Sequence, residues 1–269
     1  ITDIIFKGNI GLAESYINKN FSTKNLSKLI QFILLNENKF NLISNGNIFY
    51  RTFQKVIHSQ KNNSKKNSLK NISHHYDLGN EFYSSWLDET MSYSSALFEN
   101  NTNNLKDAQL NKYKRLINMI KPNENFKVLE IGCGWGKFTE YLAKNTRAHV
   151  TAVTISKNQY LHVCNLIQNQ GLNDKVKIEL KDYRDINNKF DSIISIEMFE
   201  AVGEKYWPIF FEKLSNNLKS NGKAALQVIT ISDDLFKNYR NRPDFIQRYI
   251  FPGGMLPSKK IFNKLILNS

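Results

Sequence analysis

At 269 residues the chain is long enough for one sizeable core and a smaller accessory region. Its 37 Lys and Arg against 24 Asp and Glu give a formal charge of +13, which favours phosphates, whether of nucleic acid or of an anionic membrane surface. Two cysteines supply no disulfide framework and point to a reducing, cytoplasmic setting, and no apolar run reaches the roughly 18 residues of a spanning helix.

From Gly11 to Lys39, the residues Leu12, Tyr16 and Ile17, then Leu26, Leu29, Ile30, Ile33 and Leu34, recur at helical spacing, with Ser22, Thr23 and Asn25 as candidate caps. The spacing predicts two short amphipathic helices in an accessory region over 1–57, more often a core face than a lipid-gripping one. Residues 58–71 are polar and basic and read as a linker, either solvated or drawn to acidic headgroups. The main domain is expected over 72–269. It opens on an aromatic stretch with Tyr76, Phe82, Tyr83, Trp86, Tyr93 and Phe98, which reads as a packed lid. His74 and His75 stand there with no carboxylate or thiolate at ligand spacing, so no metal is expected.

Ala108, Tyr113, Leu116, Ile117 and Ile120 predict a helix ended by Lys121-Pro122. Strands follow over 127–131, 149–154, 176–180, 190–196 and 224–231, alternating with helices over 137–144, 157–169 and about 206–219. This alternation predicts an α/β fold: a mostly parallel, doubly wound Rossmann-like sheet with ligands at the carboxyl ends of its strands. After the first strand, Gly132-Cys133-Gly134-Trp135-Gly136 places glycine at every second position, where backbone amides approach a ligand with no Cβ in the way. A dinucleotide fingerprint or a mere tight turn are the alternatives. Thr154 and Gln159 flank the end of the second strand, where a ribose would lie, and offer hydroxyl and amide where a carboxylate is usual. The basic residues are scattered among Asn without stacking aromatics, so no nucleic-acid partner is expected. The chain starts without Met and stops at Ser269 inside a helical pattern, so one or both ends are expected to be trimmed.

With Glu130 two residues ahead, the turn reads Glu-x-Gly-x-Gly-x-Gly and resembles the first motif of the class I S-adenosylmethionine methyltransferases. His75-Tyr76-Asp77-Leu78-Gly79-Asn80, Tyr93-Ser94-Ser95-Ala96, Val153-Thr154-Ile155-Ser156, Met198-Phe199-Glu200-Ala201-Val202-Gly203 and Tyr249-Ile250-Phe251-Pro252-Gly253-Gly254 occur in the order of the cyclopropane-fatty-acyl-phospholipid synthases. They are similar to the mycolic acid cyclopropane synthases too. Leu226 to Ile231 with Tyr239-Arg240 resembles the branch that includes plant-type enzymes. The likeness covers roughly residue 9 to the end.

The resemblance implies a peripheral membrane enzyme, a homodimer being one possibility, that moves a methyl(ene) group from S-adenosylmethionine to the cis double bond of an unsaturated phospholipid acyl chain. Ring closure is the leading outcome; a methyl- or methylene-branched chain, or a soluble amine N-methylation, are the alternatives. The implied cofactor site is Tyr93, Ser94, Glu130, Gly132, Gly134, Trp135, Gly136, Thr154, Gln159, Tyr183 and Arg184. Tyr93, Trp135 and Phe199 offer faces to a cation. The family's base is a bicarbonate held by a cysteine, a glutamate, a histidine and a later tyrosine. Glu200 stands at the glutamate position, Ser95 at the cysteine position and Gln227 at the histidine position. The region expected to hold the tyrosine lies beyond Ser269. The resemblance implies a bicarbonate held by the residues present; the alternative is Glu200 itself, buried and raised in pKa, as the base.

Overall fold

The computed structural model describes residues 2–36, 39, 47, 50, 62–76, 78–100, 102 and 104–269, with the side chains of 73–76 left aside. The side chains of His74 and His75 and the first residues of the expected linker thus lie outside the described residues. The chain divides into two compact units, 1–62 with 232–253, and 63–231 with 254–269.

In the first unit, α1 (Thr2–Lys7), α2 (Asn9–Ile17) and α3 (Leu26–Leu35) follow one another. Asn25 caps α3 by accepting from the Lys28 amide at 2.9 Å, as its position before the apolar run predicts. Glu14 on α2 accepts from Lys7 Nζ at 2.9 Å and from the Tyr249 hydroxyl at 2.6 Å, and pairs with Arg248 at 2.8 Å. These bonds tie residues 232–253 to the amino-terminal helices.

The second unit carries α4 (Lys65–Tyr76), α5 (Asn80–Ser84), α6 (Leu105–Ile120), β1 (Lys127–Ile131), α7 (Lys137–Asn145), β2 (His149–Thr154), α8 (Lys157–Asn169), β3 (Val176–Leu180), β4 (Phe190–Ile196), α9 (Trp207–Asn217) and β5 (Leu218–Gln227). The chain then forms α10 (Asp233–Asn241) in the first unit and returns with α11 (Lys259–Leu267). The sheet order is β3-β2-β1-β4-β5, every pair parallel. Right-handed crossovers place α7 and α8 on one face and α9 on the other, and the order reverses between β1 and β4, where open α/β sheets take their ligands.

Alternate residues of each strand feed the two faces. Val128, Val150, Ala152 and Ile194 pack with Leu116, Phe138, Leu142 and Val163 in an aliphatic core. On the α9 side the filling is aromatic: Phe199 stacks on Trp207 with centroids 5.4 Å apart and meets Phe210, Phe211 and Phe262 edge-on. Phe199 and Phe210 are fully buried, each stabilising the fold by roughly 2–3 kcal/mol.

Two sequence expectations are corrected. Residues 65–71, read as linker, belong to α4, whose start is anchored by distant partners: Asn63 Nδ2 donates to the Ala201 carbonyl at 2.8 Å, and Ser68 Oγ accepts from Arg184 at 3.0 Å. The last strand, expected over 224–231, begins at Leu218 and ends at Gln227. Its polar start pairs with β4 through an irregularity between Phe190 and Ser192, and Lys219 there binds Asp191 at 2.8 Å. Val228 and the residues after it leave the sheet.

Candidate active site

The three glycines of the turn do different jobs. All have positive φ: +82° at Gly132, +54° at Gly134 and +81° at Gly136. A Cβ on Gly132 would stand 2.8 Å from Met198 Cγ, and one on Gly136 would stand 2.6 Å from a Val163 methyl. These two seat the turn against β4's exit and against α8. A Cβ on Gly134 would meet nothing within 4 Å, so the turn faces open space there. The Gly132 and Cys133 amides donate to the Val153 carbonyl at 2.9 and 3.1 Å, and α7 starts at Lys137 with no side-chain cap.

Glu130 sits behind this turn. Its carboxyl is 2 % exposed and accepts from the Thr139 hydroxyl on α7, and burial pushes its pKa up to about 8. As placed, it braces the turn against its helix.

At the end of β2, Thr154 Oγ1 donates to Gln159 Oε1 at 2.9 Å and accepts from the Ser156 amide at 3.1 Å. That fixes the orientation of the Gln159 amide and leaves Nε2, buried and without a partner, as its donor end. Tyr183 and Arg184 follow β3. The Arg184 guanidinium is spent on Asp182 at 2.6 and 2.8 Å, on the Asn63 carbonyl at 3.0 Å and on Ser68, so it braces α4. Tyr183 packs edge-on to Phe210 with its hydroxyl buried.

The aromatic lid is a ring cluster. Tyr83 lies 4.7 Å from Trp135 and 5.7 Å from Tyr93, and Trp86 meets Tyr93 edge-on at 5.3 Å. Trp135 Nε1 donates to Asn80 Oδ1 at 2.9 Å. Tyr93, half-buried, stays the accessible ring of the three offered to a cation, whereas Phe199 and Trp135 are packed in. Ser94 is held from beneath: its hydroxyl accepts from Lys112 Nζ at 2.6 Å and its carbonyl from Gln109 at 2.9 Å. Lys112 is 2 % exposed, and burial lowers its pKa to about 8 against the opposing charges of Glu197 and Asp88. Its position was legible, since 108, 112, 116 and 120 form one stripe of α6.

The candidate catalytic residues converge on a carboxylate that sequence reasoning passed over. Glu197 Oε1 accepts from the Ser95 amide at 2.9 Å and from Gln227 Nε2 at 2.8 Å, and Gln227 also donates to the Ser95 carbonyl at 3.0 Å. Glu200 stands beside this group. Its Oε1 accepts from the Ile229 amide while Oε2 is buried without a partner. Burial first, with Glu197's charge adding, pushes Glu200 up to about 7.

A family model described as mycolic acid cyclopropane synthetase matches residues 63–268. The chain belongs to the mycolic acid cyclopropane synthetase family. It is 34 % identical over 259 residues to the tuberculostearic acid methyltransferase of Mycobacterium tuberculosis, covering 93 % of this chain and 60 % of that protein. It is also 34 % identical over 257 residues to the cyclopropane-fatty-acyl-phospholipid synthase of Escherichia coli K12, covering 95 % and 64 %. The chain thus spans less than two thirds of either relative. A solved mycolic acid cyclopropane synthase complexed with SAH and CTAB superposes with a TM-score of 0.68 at 30 % identity, over 73 % of this chain and 72 % of that one. A coclaurine N-methyltransferase shares the fold, with a TM-score of 0.67 at 20 % identity over 95 % of this chain and 75 % of that one. Family and architecture agree with the α/β methyltransferase fold read from the sequence.

Proposed function

We propose that the chain binds S-adenosylmethionine at the carboxyl edge of the sheet and transfers a one-carbon unit to the cis double bond of an unsaturated phospholipid acyl chain, closing a cyclopropane ring. The observation that carries the reading is Gln159, a buried amide with an oriented and unpartnered Nε2 at the end of β2, beside a turn that opens at Gly134. A ribose hydroxyl accepting from Nε2 satisfies a donor whose unmet burial costs about 1–3 kcal/mol. Family membership, with a fatty-acyl-phospholipid synthase among the relatives, supports the acyl substrate.

S-adenosylmethionine supplies an electrophilic methyl on a sulfonium. An alkene is a weak nucleophile, so the chain's contribution is to align the two and keep water out. The glycine turn, Thr154, Gln159 and Ser94 on its Lys112 support hold the donor, and the Tyr93 ring offers its face to the cation that forms on the acyl chain. The charge of +13 supports a peripheral seat on an anionic membrane surface at the cytoplasmic side. No helix among the described residues is long and apolar enough to cross a membrane.

Incubating the full-length protein with methyl-labelled donor and vesicles of unsaturated phospholipid is expected to place label in acyl chains, faster on vesicles containing anionic lipid. Label confined to headgroups or soluble amines would overturn the reading. Gln159→Leu is expected to weaken S-adenosylhomocysteine binding about tenfold in calorimetry, the value of one hydrogen bond of roughly 1.4 kcal/mol. Its thermal stability should change little, because one unsatisfied buried group replaces another.

A further inference from the structure

The family's bicarbonate does not fit this site as it stands. The groups at its cysteine and histidine positions, Ser95 and Gln227, already direct N–H donors at one protein oxygen, Glu197 Oε1, at 2.9 and 2.8 Å. The Ile229 amide is likewise taken by Glu200. We infer that Glu197 is the resident proton acceptor of the reaction, a side-chain carboxylate standing where relatives of this family hold a dissolved anion. The inference rests on the methyl-transfer reading above and deepens it.

Placement supports it. Ser195 of β4 pairs in register with Ile131 of β1, so Glu197 and the glycine turn leave the sheet at the same level on either side of the reversal point. Its neighbour Met198 is the residue that a Cβ on Gly132 would strike. The backbone is unusual as well. Glu197 has φ +47°, a conformation that costs a non-glycine residue roughly 1–2 kcal/mol and persists where surroundings fix it. Here the Glu197 amide donates to the Gln227 carbonyl at 2.8 Å, and its carboxylate is clasped by Ser95 and Gln227. The second oxygen, Oε2, makes no hydrogen bond among the described residues, which leaves it to take a proton.

The step balances within the site. The sulfur–methyl bond breaks as the alkene's electron pair bonds the methyl carbon, leaving a cation on the neighbouring chain carbon. A C–H bond of the transferred methyl then breaks, its pair closes the three-membered ring, and the proton passes to Glu197, which becomes a neutral carboxylic acid. Glu200, the second carboxyl, lies close enough to be affected by Glu197's charge.

Two variants separate a base from a strut. Glu197→Gln keeps an oxygen for both donors but is not a base; its kcat is expected to fall about 10²-fold or more with S-adenosylhomocysteine affinity unchanged. Glu197→Gly relaxes the positive φ and vacates the anion position; its activity is expected to be equally low and to recover when bicarbonate or formate is added. Wild-type turnover should be indifferent to removal of bicarbonate, and 13C-bicarbonate should show line broadening with Glu197→Gly protein and none with wild type. Bicarbonate binding to wild type, or a wild-type kcat for Glu197→Gln, overturns the inference. Absence of label from acyl chains with the wild-type protein defeats the methyl-transfer reading instead, and the bicarbonate-binding measurement still decides whether Glu197 fills the anion position.

Discussion

Gly134→Ala is expected to lose only a little stability and about 10²-fold in S-adenosylmethionine affinity, while Gly136→Ala, two residues on, is expected to lose considerably more stability. Both glycines have positive φ, so alanine costs roughly 1–2 kcal/mol at either position. They differ in what the new methyl meets. At Gly134 it enters open space on the ligand side, so the backbone strain is its whole cost to the fold, and the methyl displaces the bound donor, for which about 2.7 kcal/mol corresponds to 10²-fold. At Gly136 it lands 2.6 and 2.8 Å from the two methyls of Val163, which is fully buried and has nowhere to go. Overpacking adds roughly 1–3 kcal/mol to the backbone strain. A total near 3 kcal/mol lowers Tm by about 6–12 °C in a unit of this size. Adding Val163→Ala to Gly136→Ala should return part of that loss, because the two sites share one contact. Calorimetric binding and thermal melts on the three proteins check the assignment; equal affinity loss for both glycine variants at unchanged Tm would refute it.

What was legible in the sequence follows from how local each determinant is. The first four strands end where the pattern predicts because apolar runs bounded by helices of 9 to 13 residues leave a parallel sheet little choice. β5 was misjudged at its start because an edge strand keeps one side in solvent and carries Lys219, Ser220, Asn221 and Gly222, which look like a turn. α4 was misjudged because its composition is that of a linker and its anchors, Ala201 and Arg184, lie more than 100 residues away. The grouping of 232–253 with the amino terminus is likewise a long-range fact.

The site divides in the same way. Ser95, Gln227 and Glu200 were named from their motifs, and the fold brings the first two together. Glu197 escaped because the motif as read began at Met198, and nothing in a glutamate's letter announces a left-handed backbone. Arg184 and Glu130 were named for the cofactor from the motif alone; the fold adds their supports, Asp182, Asn63 and Ser68 for one and Thr139 for the other, which no local pattern shows.

Glu130 yields a prediction about stability. A carboxyl that is 2 % exposed, with a hydroxyl as its hydrogen-bonding neighbour, is held neutral by desolvation, and its pKa rises from 4.5 to about 8. Between those values the folded chain keeps a proton that the unfolded chain releases. Raising the pH through this window favours unfolding, by up to roughly 1.4 kcal/mol per pH unit from this group alone. Its contribution is complete below about pH 4.5 and is lost as pH climbs through 8. Glu130→Gln cannot ionise, so it should be about 1 kcal/mol less stable than wild type at pH 5, having lost the acid's hydrogen-bonding arrangement with Thr139, and more stable than wild type at pH 9. Glu200, Lys112 and His162 also titrate away from their usual ranges, and they do so in both proteins, so the difference between the two melting curves isolates Glu130. Tm measured from pH 5 to 9 should cross once; parallel profiles would mean that Glu130 is charged in the fold and that the turn rests on an ion rather than on a neutral brace.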